Sequence, residues 1–264
     1  GLRLYAGKSL LVDMSSTNYS LATAVPFEKV RSGVSPIASM KAVKNKVEQD
    51  GFRAAMLRDG VAVVKFLAWL KSAVEAGGQT EISLDDRLTA LRAEQPKFKG
   101  ISFDTIVGYE AHGAVVHYEA TPETDIPVQP HGLVLIDSGA QYLDGTTDIT
   151  RTIALGELSE EQRRVYTLVL KGHIQLDRCR FPAGACGSQI DALARAPMWR
   201  EGYNYMHGTG HGVGSYLNVH EGPHQIRMEW RPAPLQAGMT VTNEPGIYLE
   251  GKFGVRIENT LLIV

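Results

Sequence analysis

Cysteine is almost absent from this chain of 264 residues: there are two, Cys179 and Cys186. They are too few for a disulfide framework and fit no common zinc spacing, so they read as reduced thiols of a cytoplasmic protein. An excess of one charge is lacking too. Against 29 Asp and Glu stand 27 Lys and Arg, for a formal charge of −2, which gives no global attraction to nucleic acid or an anionic membrane. No apolar run reaches the roughly 18 residues of a membrane span. There is no signal-like segment and no initial methionine, and Leu261-Leu-Ile-Val264 reads as a strand cut short. Both ends are therefore expected to belong to a piece of a longer protein. The length suits about one to two domains with a substantial core.

What the chain does have is organised around Leu135–Thr152. This stretch opens apolar, bends at Gly145 and resumes with β-branched residues, the pattern of a hairpin. Asp137 precedes the bend and Asp148 follows it. Two like charges on facing strands raise at least one pKa or require a cation between them. Alone, the pair reads first as solvated surface and second as the floor of a metal site.

Ahead of the hairpin, residues 1–36 hold a short strand over Ser9–Asp13 and a helix to about Ala24 capped from Ser15-Ser16. They end in the punctuation Gly33-Val-Ser-Pro36. They read as the remnant of a preceding domain and its linker, with residues 37–264 as the main domain. Apolar spacing at Val47, Phe52, Ala55, Met56, Val61, Val64, Phe66, Leu67, Leu70 and Val74 predicts a helix from Asn45 to about Ala76. A second helix is expected from a cap at Ser83, with Asp86 three residues on, to about Gln95. Strands are expected over Phe98–Val107 and Ala114–Tyr118. Beyond the hairpin come helices from Ser159 to about Arg180 and from Gly187 to about Ala194, then strands over Met239–Tyr248 and Phe253–Val264. Helices then strands, twice over, predict an α+β protein of two similar halves with a pocket between their sheets.

Between the second helix pair and the last strands lies a Gly- and His-rich segment with His207, His211 and His220. Interleaved glycines allow close backbone approach, which suits a site, although a loop with partly exposed histidines has the same composition. Three motif matches here fail on structure. His220-Glu-Gly-Pro-His224 fits a zinc-protease string, but Gly222-Pro223 would break the helix that motif needs. Gly246–Lys252 resembles a P-loop, yet Phe253 stands where Ser or Thr must bind magnesium. The run Gly208, Gly210, Gly212, Gly214 lacks the strand and acidic partner of a dinucleotide fingerprint. Glu244 sits before a Pro-Gly turn, and Glu258 alternates with Val255 and Ile257 on the same strand face as Arg256. Asp137, Asp148, Glu244 and Glu258 together, on strands covered by helices, could not all stay ionised without cations.

The ordered set Asp137, Asp148, His211, Glu244, Glu258 resembles the five-ligand dinuclear site of the pita-bread metallopeptidases. Its steps of eleven residues between aspartates and fourteen between glutamates agree. Asp144-Gly-Thr-Thr-Asp-Ile-Thr-Arg-Thr152, His207-Gly-Thr-Gly-His-Gly-Val-Gly214 and Leu217-Asn-Val-His-Glu-Gly-Pro223 are similar to the three-domain, cytosolic aminopeptidase P branch. The resemblance covers about residues 37–264. It implies a pita-bread fold of two pseudo-symmetric α/β halves with two divalent cations between their sheets. Manganese suits the oxygen-rich set, with zinc or cobalt as alternatives. Asp137 would bind one ion, His211 and Glu244 the other, and Asp148 and Glu258 would bridge. The implied reaction is hydrolysis of an N-terminal Xaa-Pro bond, with Glu244 taking the attacking water's proton. His117, His207 and His220 would steady the oxyanion, shuttle a proton and contact proline. Phe103, Tyr248 and Arg256 would line the substrate pocket. Expected partners are peptides with proline second and, in the full-length protein, a second copy in a homodimer. An Xaa-Pro dipeptidase shares all five ligands, and Ser215-Tyr-Leu-Asn218 favours aminopeptidase P only by likeness. A non-catalytic peptide-binding module is the rival from another class.

Overall fold

Leu10–Val12 (β1) and Val30–Ser32 (β2) pair as parallel strands around a short helix, Tyr19–Thr23 (α1). The computed structural model describes residues 8–14 and 16–264. The expected cap pair therefore falls partly outside the described residues at Ser15. The cap in place is Asn18, whose side chain accepts the Ser20 N–H. Pro36, expected in a linker, opens a further helix, Pro36–Ala42 (α2), as suits a residue with φ preset and no N–H to lose. One compact unit ends at Lys41 and the other comprises Ala42–Val264.

The larger unit begins with the predicted long helix, Lys46–Ala76 (α3), capped by a reciprocal Asn45–Glu48 box. Its buried stripe is Phe52, Ala55, Asp59, Ala62, Val63, Phe66, Leu70 and Val74. Val47, Val61 and Val64, predicted on that stripe, are exposed, because they lie off the three-and-four spacing the core follows. The next helix, Glu81–Ala93 (α4), starts a turn earlier than predicted. Thr80 is its cap and Ser83 is the reciprocating residue three positions on. The single strand expected over Phe98–Val107 is two, Phe98–Ile101 (β3) and Ile106–Tyr109 (β4), in different sheets. Between them Ser102 is held to the hairpin, its N–H on Gly139 O and its hydroxyl on Thr147 O. No strand forms over Ala114–Tyr118. Glu110–Ala114 is a 3-10 turn instead, and the chain runs on irregularly with His117 exposed.

The central hairpin is present as Leu133–Ser138 (β5) and Ile149–Ala154 (β8), with Asp137 opposite Thr150. A smaller hairpin, Ala140–Tyr142 (β6) and Gly145–Thr146 (β7), is nested at its tip. Strands β4, β5 and β8 form one antiparallel sheet. Its covered face packs Val107, Val134 and Ile136 on Phe66, Leu70, Leu84 and Leu88 of the two helices. Helices Glu160–Asp177 (α5) and Gly187–Trp199 (α6) start the second half. The second of these outruns its predicted end and includes Pro197. Strands Gly210–His211 (β9) and Gln225–Ile226 (β10) pair. Then Thr240–Asn243 (β11) pairs with Asn259–Leu262 (β14), and Gly246–Leu249 (β12) with Phe253–Arg256 (β13). The halves are stitched where Glu258 N–H donates to Thr150 O and Arg256 N–H to Thr152 Oγ1. The α+β reading of helices, then strands, twice, is the observed order.

Candidate metal centre

The five singled-out residues come from five backbone settings and meet at that seam. Asp137 lies on β5, Asp148 just before β8, His211 on β9, Glu244 between β11 and β12, and Glu258 between β13 and β14. All five line one cavity of about 270 Å³, together with Phe103, His117 and His220. Asp148, His211 and Glu258 each present a donor atom within 4.8 Å of the others. His211 Nε2 stands 3.3 Å from Asp148 Oδ2 and 3.4 Å from Glu244 Oε1.

The donor chemistry asks for a cation. His211 Nδ1 contacts Gly212 O at 3.0 Å; a carbonyl only accepts, so Nδ1 bears a proton and Nε2 is the ring nitrogen aimed at the carboxylates. Asp137 Oδ1 is buried with no hydrogen-bond partner among the described residues. Burial, then repulsion from Asp137 and Glu244, pushes the Asp148 carboxyl well above its usual range. Burial, then Asp148 and Asp137, does the same to Glu258, and burial raises Glu244. Acids that resist ionisation beside an orphaned oxygen and an aimed imidazole nitrogen fit divalent cations.

Two threonines that sequence reasoning missed hold the acids in place. Thr150 donates its hydroxyl to Glu258 Oε2 at 2.7 Å, and Thr242 donates to Glu244 Oε1 at 3.1 Å. For Thr150 the signal lies only in the pairing of strands across the seam; Thr242 stands two residues before Glu244, so the alternation of an extended strand could have marked it. His220 packs edge-on against His211, ring centres 4.2 Å apart, and burial, then His211, lowers its pKa. His207, Tyr248 and Arg256 are not on the cavity wall. They form a row behind Asp137, with His207 Nε2 to Tyr248 OH at 2.8 Å and Tyr248 OH to Arg256 Nη1 at 2.8 Å. Arg256 then reaches Asp137 Oδ2 with two nitrogens, at 2.8 and 3.1 Å.

Fold and site are those of a metallopeptidase class, and the chain belongs to metallopeptidase family M24, whose model matches residues 50–264. Relatives narrow it. Aminopeptidase P1 of Arabidopsis thaliana is 47% identical over 96% of this chain and 43% of its own length. A probable Xaa-Pro aminopeptidase P of Laccaria bicolor is 47% identical over 97% and 40%. The X-prolyl aminopeptidase of Caenorhabditis elegans, described as a cytosolic enzyme with a di-nuclear active site, superposes with a TM-score of 0.89. It is 41% identical, over 96% of this chain and 42% of that one. Prolidase from Pyrococcus furiosus gives 0.84 at 29% identity, over 97% and 73%. The chain thus has the pita-bread fold and spans less than half the length of the aminopeptidase relatives.

Proposed function

We propose that this chain is the catalytic portion of a metal-dependent aminopeptidase that hydrolyses the first bond of peptides beginning Xaa-Pro. The observation that carries the reading is the convergence of Asp137, Asp148, His211, Glu244 and Glu258 on one cavity. Two divalent cations fit the set: Asp137 would hold one, His211 and Glu244 the other, and Asp148 and Glu258 would serve both. Four carboxylates to one imidazole favour manganese, with zinc and cobalt able to substitute. Such ions lower the pKa of bound water and polarise the scissile carbonyl. The chain's own groups do the rest. Glu244, on the cavity wall beside His211, takes the proton of the attacking water. His117 and His220 on the wall steady the tetrahedral oxyanion and contact the proline ring with Phe103. His207 acts from behind through Tyr248 and Arg256, which set the reach of Asp137 at the substrate end.

Residues 1–36 fit the remnant of a preceding domain and 37–264 the catalytic domain. A cytoplasmic location accords with the nematode relative's description as cytosolic; a homodimer in the full-length protein is a further part of the proposal. The second reading, an Xaa-Pro dipeptidase, has the prolidase superposition in its favour. Comparing Xaa-Pro with Xaa-Pro-Yaa substrates after loading with Mn²⁺ separates the two. Cleavage of the tripeptide supports the aminopeptidase, and cleavage of the dipeptide alone overturns it. Two bound cations per chain argue against a non-catalytic module, and none argues for it.

A further inference from the structure

Asp191 and Arg195, one turn apart on α6, form an ion pair at 2.6 Å with both residues about 1% exposed. A pair so deep is sustained only where further hydrogen bonds satisfy the remaining donors and acceptors. Here every one of those bonds goes to the segment that leads into His211. Arg195 Nη1 donates to Tyr205 O at 2.5 Å and Nη2 to His207 O at 2.9 Å. Its guanidinium lies 3.8 Å from the centre of the Tyr205 ring. Asp191 Oδ1 meets the Thr209 hydroxyl at 2.5 Å. A carboxylate only accepts, so Thr209 donates, and the Tyr205 hydroxyl, 2.6 Å from Thr209 Oγ1, must donate in turn.

Thr209 is therefore tied to α6 by its side chain. Its main chain is tied to the metal centre, because Thr209 O accepts the Glu244 N–H at 2.8 Å. His211, two residues on, gives its N–H to Thr242 Oγ1 at 2.9 Å, and that hydroxyl donates to Glu244. The His211 and Glu244 donors thus share one anchor, and the anchor ends on Asp191.

We infer that Asp191, braced by Arg195 and acting through Thr209, is a positioning residue that sets the affinity of the His211–Glu244 cation. The row that runs from His207 through Tyr248 and Arg256 to Asp137 takes no bond from Thr209, whose partners are Tyr205, Asp191 and Glu244. The inference rests on the two-cation reading above. The outer partners of metal ligands typically change affinity by about 10- to 100-fold when removed. The test titrates Mn²⁺ into the chelator-stripped full chain by calorimetry, for wild type, Asp191→Asn, Thr209→Val and Thr209→Ser. The melting temperature in chelator is measured alongside. Thr209→Val keeps the shape of the side chain and removes the hydroxyl, so it tests the relay even where Asp191→Asn does not fold. Expected are two binding steps in wild type and Thr209→Ser. In Thr209→Val one step is weakened about 10- to 100-fold and the other unchanged. Thr209→Val with both steps intact, or both weakened alike as in a general loosening, overturns the inference while the metal centre stands. A wild type that takes up no cation overturns the metal centre itself, and this inference with it.

Discussion

Arg256 forks onto one oxygen of Asp137, at 2.8 and 3.1 Å, and leaves the other oxygen bare. The fork fixes the plane of the carboxylate, so the bare Oδ1 has a single direction in which to find a partner. Lysine keeps the charge but presents a point, not a planar fork. Arg256→Lys is therefore expected to weaken Mn²⁺ binding by about 10- to 100-fold. Calorimetric titration checks it, and affinity within twofold of wild type refutes the role.

The metal-free site works against its own fold. Glu258 is buried and its carboxyl is pushed well above the ordinary range by burial and by its acidic neighbours. Glu258→Gln removes that charge and keeps an oxygen for the Thr150 hydroxyl. In chelator at pH 8 the variant should melt higher than wild type, by about 2–4 °C per kcal/mol of repulsion relieved. With Mn²⁺ present the order should reverse. Scanning calorimetry decides, and a variant less stable in chelator contradicts the repulsion.

The same group gives a pH dependence whose sign follows. A carboxylate with its folded pKa raised costs stability above that pKa, and the cost fades as pH falls toward the ordinary 4.5. The advantage of Glu258→Gln over wild type in chelator should thus be greatest at alkaline pH and shrink as pH falls toward 4.5. His173 and His207 act oppositely. Burial lowers both below 6.5, so their contribution is present above about 6.5 and lost on acidification. Both proteins share that loss, so it cancels in the difference. A gap that widens toward acid refutes the assignment.

Much of this site was legible because its donors sit where sequence patterns are clearest. Asp137 and Asp148 flank a hairpin with a glycine bend, and Glu244 stands before Pro-Gly; alternation set Glu258 beside Arg256. The supports were not legible. Thr150 reaches Glu258 and Arg256 reaches Asp137 only because β8, β13 and β5 lie side by side, and no local period encodes that adjacency. The cap of α4 was misplaced because Thr80 and Ser83 are both good caps and only the reciprocal bonds pick the earlier one. Val61 and Val64 looked like core because they are apolar. Asp59 is core because Arg92 and the Tyr142 hydroxyl satisfy it, at 2.9 and 3.1 Å.

His207 is held as one tautomer. Its Nδ1 lies 2.8 Å from Gly208 O, which can only accept, so Nδ1 bears the proton. Nε2 then accepts from the Tyr248 hydroxyl, whose oxygen receives Arg256 Nη1. Burial lowers its pKa to about 3. The ¹⁵N shifts of His207 should report a neutral Nδ1–H ring from pH 8 to about 5. An Nε2–H ring, or protonation near 6.5, refutes the directed row.

The glycines before His211 are not equivalent, and a pair of alanines tells them apart. A Cβ on Gly208 would come no nearer than 3.5 Å to another atom, ordinary contact. A Cβ on Gly210 would stand 1.9 Å from the carbonyl oxygen of Thr242. That obstacle is backbone, so β9 must lift from β11 and take His211 with it. Overpacking of this kind costs about 1–3 kcal/mol or more. Gly208→Ala should stay within about 0.5 kcal/mol of wild type, as surface changes do. Gly210→Ala should melt several degrees lower in chelator and bind Mn²⁺ more weakly. If the two variants behave alike, close approach at Gly210 is not what positions His211, and the strand contact is softer than the geometry requires.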